Sequence, residues 1–269
     1  MKSYINIKPT PYRTLDIPKR LTKAIKLPKQ KTAGIIGGLG PQSTALFYQT
    51  YTQYCLEQEL PRFPRLILNS VDMWEVIEIL KEKDMDQLLE FLYNEIEMIQ
   101  DQVDFIVMVC NSVHAVLEPL RALAKVPIIS IFEEVCKEVA NTSYSKIGIL
   151  GTKTTIDNGF YQNELSQYDI DYAILPEEET ADFDHFIFEE MLHGRGKGTM
   201  KRLLLEGVNN LRKQGCDAVI LGCTELPLFL HQNETDMPLF MSTQVLARTV
   251  VDSCTNAKVD LEKRYKIAS

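Results

Sequence analysis

The chain lacks any apolar run approaching the roughly 20 residues that a membrane-crossing helix needs. It has no Cys-x-x-Cys pair and no second ligand pair at zinc spacing, so neither a metal site nor a thioredoxin-like redox centre is expected. It also lacks Gly-x-Gly-x-x-Gly and Gly-Lys-Ser/Thr, which argues against dinucleotide and P-loop nucleotide sites. Residues 1–31 lack the apolar core and small-residue cleavage site of a secretory signal. Six cysteines without such a signal read as reduced thiols in a cytoplasmic protein, not as a disulfide framework. Cys55, Cys136, Cys216 and Cys254 fall on helical or helix-end patterns and are expected to be small buried hydrophobes.

What is present is ordinary globular composition: 269 residues, 45% apolar and 25% charged. The formal charge of −8 is uneven. Residues 1–31 hold nine Lys/Arg and one acid, whereas the remainder holds 20 basic and 36 acidic residues. An acidic body repels phosphate, so no nucleic-acid partner is expected. The basic arm reads as a solvated tail or a strap over the body, broken by Pro9, Pro11, Pro18 and Pro28.

Short, uniformly apolar runs alternate with longer amphipathic ones. Strands are expected at Ala33–Gly37, Leu66–Asn69, Phe105–Cys110, Ile128–Ile131, Lys146–Leu150, Tyr172–Leu175, Ala218–Gly222 and Leu239–Met241. Helices are expected at Met85–Val103 and Lys201–Gln214, the second ending at Gly215. This order implies an α/β fold with parallel sheets covered on both faces. The pattern also repeats. Gly34-Ile35-Ile36-Gly37 matches Gly148-Ile149-Leu150-Gly151, the run Asp104–Asn111 matches Asp217–Thr224, and Val126-Pro127-Ile128 matches Met237-Pro238-Leu239. From Gly37 to Cys110 is 73 residues, and from Gly151 to Cys223 is 72. Three anchors in register indicate a duplicated α/β unit. The expected division is a basic arm (1–31), a first α/β domain (32–130 plus about 242–269) and a second (131–241).

In each copy a cysteine closes a buried strand, and ligands of open α/β sheets sit outside the carboxyl ends of strands. If the copies face each other about a pseudo-twofold axis, Cys110 and Cys223 look into one cleft. Asn111-Ser112 and Thr224-Glu225 follow them as cap-like pairs, so both thiols are expected near helix starts whose N–H groups favour a thiolate. Two acid–base groups on opposite sides of a carbon are what racemisation requires. The turn Gly37-Gly38-Leu39-Gly40-Pro41-Gln42 is either a tight strand–helix turn or a carboxylate cradle, with Gly38 and Gln42 as its candidate contacts. Ser43 and Thr44 cap the following helix or touch the ligand. Asn69 and Ser70 end the second strand at the same sheet edge, with Asp72 expected to cap the next helix. Thr152 lies in the mirrored turn. Glu225 can cap the helix, shape the second thiol's surroundings or hold a substrate ammonium. His114 either packs beside Cys110 or is an ordinary hydrogen-bonded helix histidine. Arg195 or Lys197 can supply a cation for a dicarboxylate.

Gly-Gly-Leu-Gly-Pro-Gln-Ser-Thr (37–44), Cys-Asn-Ser-Val-His (110–114) and Gly-Cys-Thr-Glu-Leu (222–226) resemble the aspartate/glutamate racemase family. The resemblance runs from about residue 32 to 255. It implies two flavodoxin-like, doubly wound domains, an active site between them, no pyridoxal phosphate or other cofactor, and a homodimer. It implies Cys110 and Cys223 as the two acid–base groups, with Asn111 and Thr224 beside them on the substrate's carboxylate or amine. The implied substrate is an acidic amino acid, aspartate or glutamate. After the second strand the chain carries Asn-Ser-Val-Asp and not the arginine-bearing segment of some aspartate racemases. Related reactions on this fold are hydantoin racemisation, maleate isomerisation and arylmalonate decarboxylation. A non-catalytic cleft that binds a small acid is a further alternative.

Overall fold

The computed structural model describes residues 30–191, 197–256, 261 and 265. In the first half, β1 (Ala33–Gly37), α1 (Pro41–Glu57), β2 (Leu66–Ser70), α2 (Met73–Glu82), α3 (Met85–Glu97), β3 (Phe105–Met108), α4 (Leu117–Leu123) and β4 (Ile128–Ile129) follow one another. Then α5 (Ile131–Ala140) leads to β5 (Lys146–Leu150), α6 (Lys153–Asp157), α7 (Phe160–Gln167), β6 (Asp171–Ile174), α8 (Glu177–His185), α9 (Lys197–Lys213), β7 (Ala218–Leu221) and β8 (Leu239–Met241). The helix α10 (Ser242–Thr255) comes last.

All eight expected strands form, in two four-stranded sheets of order β2-β1-β3-β4 and β6-β5-β7-β8. Every pairing is parallel. The duplication read from the sequence is therefore a duplication of topology, and 2-1-3-4 is the flavodoxin-like order. The inner strands β1, β3, β5 and β7 are buried on both faces, which explains their uninterrupted apolar runs. Ile35 and Val107 pack under α1 and α10, while their neighbours Ile36, Ile106 and Met108 pack under α3 and α4. In the second sheet Leu150, Val219 and Leu221 meet α9, and Ile149 and Ile220 meet α5 and α7. Helix α10 places Leu246, Val250 and Val251 in the first sheet's core and Val245 in the second's.

The helix expected over Met85–Val103 is shorter. It ends at Glu97, and a 3-10 turn follows at Gln100–Gln102. There the buried Gln100 accepts a hydrogen bond from the N–H of Lys125, a tie that a continuous helix does not provide. Helix α9 instead begins four residues earlier than expected and ends at Lys213, and two residues on Gly215, at φ 83°, is the left-handed C-terminal stop. Among the described residues no helix is long and apolar enough to cross a membrane. The basic arm up to residue 29 lies outside the described residues.

Candidate active site

In a 2-1-3-4 sheet the chain order reverses between β1 and β3, opening a crevice at the strands' carboxyl ends. Cys110 stands two residues past β3, and Cys223 two residues past β7, at equivalent crevices in the two halves. Both line one cavity with about 500 Å³ of atom-free space, the open solvent at its mouth included. Asn111, Ser112, Thr152, Thr224 and Glu225 line it with them. Seven sequence-expected residues thus converge, six from the two cysteine motifs and Thr152 from the mirrored glycine turn.

Several of the polar contacts join segments far apart in the chain. Ser112 Oγ and Thr152 Oγ1 are 3.2 Å apart, and Thr152 also caps α6. Tyr161 of α7 donates its hydroxyl proton to Asn111 Oδ1 at 2.7 Å, and Asn111 Nδ2 donates to Ser242 Oγ at 3.3 Å. Thr243 Oγ1 donates to the Thr224 carbonyl at 3.1 Å. Tyr161, Ser242 and Thr243 were not legible as site residues. Their signal is purely spatial, since each looks like a helix residue in its own segment.

Glu225 is the centre of the second motif and is only 7% exposed. Its Oε2 accepts hydrogen bonds from Cys223 Sγ at 3.2 Å and Thr224 Oγ1 at 2.9 Å. Its Oε1 lies 2.8 Å from Ser43 Oγ, whose single proton it shares with the Gly40 carbonyl. A Cβ on Gly40 would overlap Glu225 Oε1, so the glycine turn serves close packing against this carboxylate.

The thiols differ from the sequence expectation. Burial, followed by the charge of Glu225, pushes the Cys110 thiol up to about 12; the backbone N–H groups of Val113 and Ser112 oppose this and lose. Cys223 is raised well above the usual thiol value by burial, then by Glu225 and Cys110, against one backbone N–H. Helix-start N–H groups are present as expected, but desolvation outweighs them. Both groups are thus held as thiols that become strong bases once deprotonated.

Other expected contacts fall elsewhere. The Gly38 N–H donates to Thr44 Oγ1 at 2.9 Å, so it is not free to cradle a carboxylate; its φ of 81° marks a tight turn. Gln42 faces a neighbouring cavity that shares Met73 and Glu225 with this one. Asn69 and Ser70 do not line the site. The Asn69 amide donates to Glu95 Oε2 at 2.7 Å, because the strand's pleat turns that side chain toward α3. Asp72 caps α2 through the Trp74 N–H. His114 contacts the Cys110 carbonyl through Nδ1 at 2.8 Å and the Ile131 N–H through Nε2 at 3.4 Å. Its burial lowers its pKa to about 4, so it is a neutral, hydrogen-bonded helix histidine. Arg195 and the side chain of Lys197 lie outside the described residues. Among the described residues no cluster of three His, Cys, Asp or Glu side chains is placed to hold a metal ion.

Tyr161→Phe removes the proton that Asn111 Oδ1 accepts and leaves a buried carbonyl unpaired. The expected cost is about 1–3 kcal/mol of stability, read by urea unfolding. A loss below a few tenths would show that Asn111 finds another donor.

Comparisons with known proteins bear on the family and the fold. A family model described as Asp/Glu/Hydantoin racemase matches residues 36–250. The broad specificity amino-acid racemase RacX of Bacillus subtilis (strain 168) is 25% identical over 236 residues, covering 82% of this chain and 96% of its own. The crystal structure of an aspartate racemase homologue from Pyrococcus horikoshii OT3 has 28% identity and a TM-score of 0.70, over 82% of this chain and 98% of that one. Aspartate racemase from Picrophilus torridus, at 21% identity, shares the fold with a TM-score of 0.69 over 83% of this chain and 94% of its own.

Proposed function

The chain belongs to the Asp/Glu/hydantoin racemase family, and from that premise we propose that it racemises an α-amino acid by proton transfer between Cys110 and Cys223, without a cofactor. The observation that carries this reading is the convergence of both cysteines on one cavity. One thiolate takes the Cα proton as the C–H bond breaks and an S–H bond forms. The electron pair left on carbon then takes the proton of the opposite thiol, from the other face. The first sulfur ends as a thiol and the second as a thiolate, so the reverse reaction exchanges their roles.

The raised thiols fit this chemistry. A Cα proton is very weakly acidic, and a sulfur held near 12 is a better proton acceptor once ionised than an ordinary thiolate. The thiolate is scarce at neutral pH, and the rate is expected to climb as pH rises toward that value. In this reading the second amide proton of Asn111 and the hydroxyls of Ser112 and Thr152 are offered to the substrate carboxylate, Thr224 holds Glu225, and Glu225 accepts from the substrate ammonium. A homodimer and a cytoplasmic location belong to the same proposal.

Incubating the enzyme with single enantiomers in D₂O tests the reaction. Deuterium is expected at Cα together with loss of optical rotation, with no added cofactor. Retention of every Cα proton across a panel of amino acids would exclude racemisation and favour a binding cleft.

A further inference from the structure

Much of the cavity's lining is hydrocarbon. Helix α2 supplies Met73, Val76, Ile77 and Leu80, and the π-helical segment after α8 supplies Ile187 and Phe188. The polar lining is confined to residues next to the cysteine motifs and to the α6 turn. No Lys or Arg is among the described residues that line this space, and its one carboxylate is Glu225.

Cations do stand nearby, but in a different compartment. Lys81, Lys83 and Lys153 line an outer cleft with about 1350 Å³ of atom-free space. Ile77, Leu80 and Phe188 line both spaces, so an apolar collar stands where they meet. Lys153 is also committed, with its Nζ 3.2 Å from both Asp157 and Glu177.

From this lining we infer that the substrate's side chain is apolar, and that aspartate and glutamate are poor substrates. The inference rests on the racemase reading above and departs from the acidic substrate that the sequence resemblance implies. A dicarboxylate would set its second carboxylate against Met73, Val76, Ile77 and Phe188, where no described residue offers a donor or counter-charge, in the same cavity as Glu225. Burying an unpaired charge is among the costliest steps in recognition. An alkyl, thioether or phenyl group instead gains contact with Met73, Val76 and Phe188 and leaves no polar group unpaired. The α-carboxylate and ammonium are left to the hydroxyl, amide and carboxylate groups of the lining.

The test uses the full chain and a panel of L-methionine, L-leucine, L-phenylalanine, L-aspartate and L-glutamate in D₂O, following the Cα proton by NMR. At least one apolar amino acid is expected to exchange with a kcat/KM about tenfold or more above both acids, the lower end of what one side-chain contact discriminates. Exchange of aspartate or glutamate as fast as the apolar set would overturn this inference and leave the two-cysteine reaction standing. Exchange of none would overturn both. Leu80→Arg, which introduces a cation at the half-buried end of α2, ties the preference to this wall. Its ratio of methionine to aspartate exchange is expected to fall at least about tenfold; an unchanged ratio removes α2 from substrate recognition.

Discussion

Replacing Cys110 by Ser is expected to cut racemisation by about 10³-fold or more, and Cys223→Ser to do the same independently, since a positioned acid–base group contributes on the order of 10²–10⁴. A serine hydroxyl is too weak an acid to hold an alkoxide at working pH and too poor a proton acceptor in its neutral form. Each variant keeps one sulfur. That sulfur still faces the Cα proton of one enantiomer, takes it, exchanges with solvent and returns deuterium to the same face. Each variant is therefore expected to incorporate deuterium into one enantiomer with retention of configuration, and the two variants into opposite enantiomers. Folding is checked separately by circular dichroism and urea unfolding, because the change from sulfur to oxygen conserves shape. Near-parental racemisation in either variant would remove that cysteine from the reaction. Exchange of the same enantiomer by both would place the sulfurs on one side of the substrate.

The reach of the sequence had a physical limit. Strands such as Ala33–Gly37 and Ala218–Leu221 were legible because burial on both faces demands uniform apolarity. The cysteines were legible because duplication repeats them at the same distance from a glycine turn. Asn111, Ser112, Thr224 and Glu225 came with them as chain neighbours. The apolar wall was not legible: Val76, Ile77 and Leu80 lie on the buried stripe of an amphipathic helix and have the pattern of any core residue. Tyr161 and Ser242 were missed for a related reason, since they reach Asn111 from 50 and 131 residues away. Gly38 and Asn69 misled in the opposite direction. They stand at the correct sheet edge, but the Thr44 hydroxyl engages the N–H of Gly38 and Glu95 engages the Asn69 amide. Position along a strand is written in the sequence, whereas the partner that engages a polar group is settled only by packing.

Glu225→Gln separates two roles that the geometry assigns to one carboxylate. Its charge raises the thiols of both Cys110 and Cys223. Removing that charge while keeping the side chain's shape lowers both toward the ordinary thiol range. Because the reaction needs one thiolate, the ascending limb of kcat/KM against pH is expected to move to lower pH in the variant. The second role is to accept a hydrogen bond from the substrate ammonium. A hydrogen bond involving a charged group is worth about 1.5–3 kcal/mol, so its loss is expected to raise KM by about 10- to 100-fold. The two effects oppose each other near neutrality, where thiolate is gained and binding is lost, so a single-pH assay would understate both. Full profiles of kcat and KM between pH 6 and about 10, near the ordinary thiol range, resolve them. Glu225→Asp keeps the charge but shortens the reach to Ser43 and Cys223. It should restore the parental limb while leaving KM high. A Gln variant with parental KM and an unmoved limb would reduce Glu225 to a packing partner of Gly40 and Ser43.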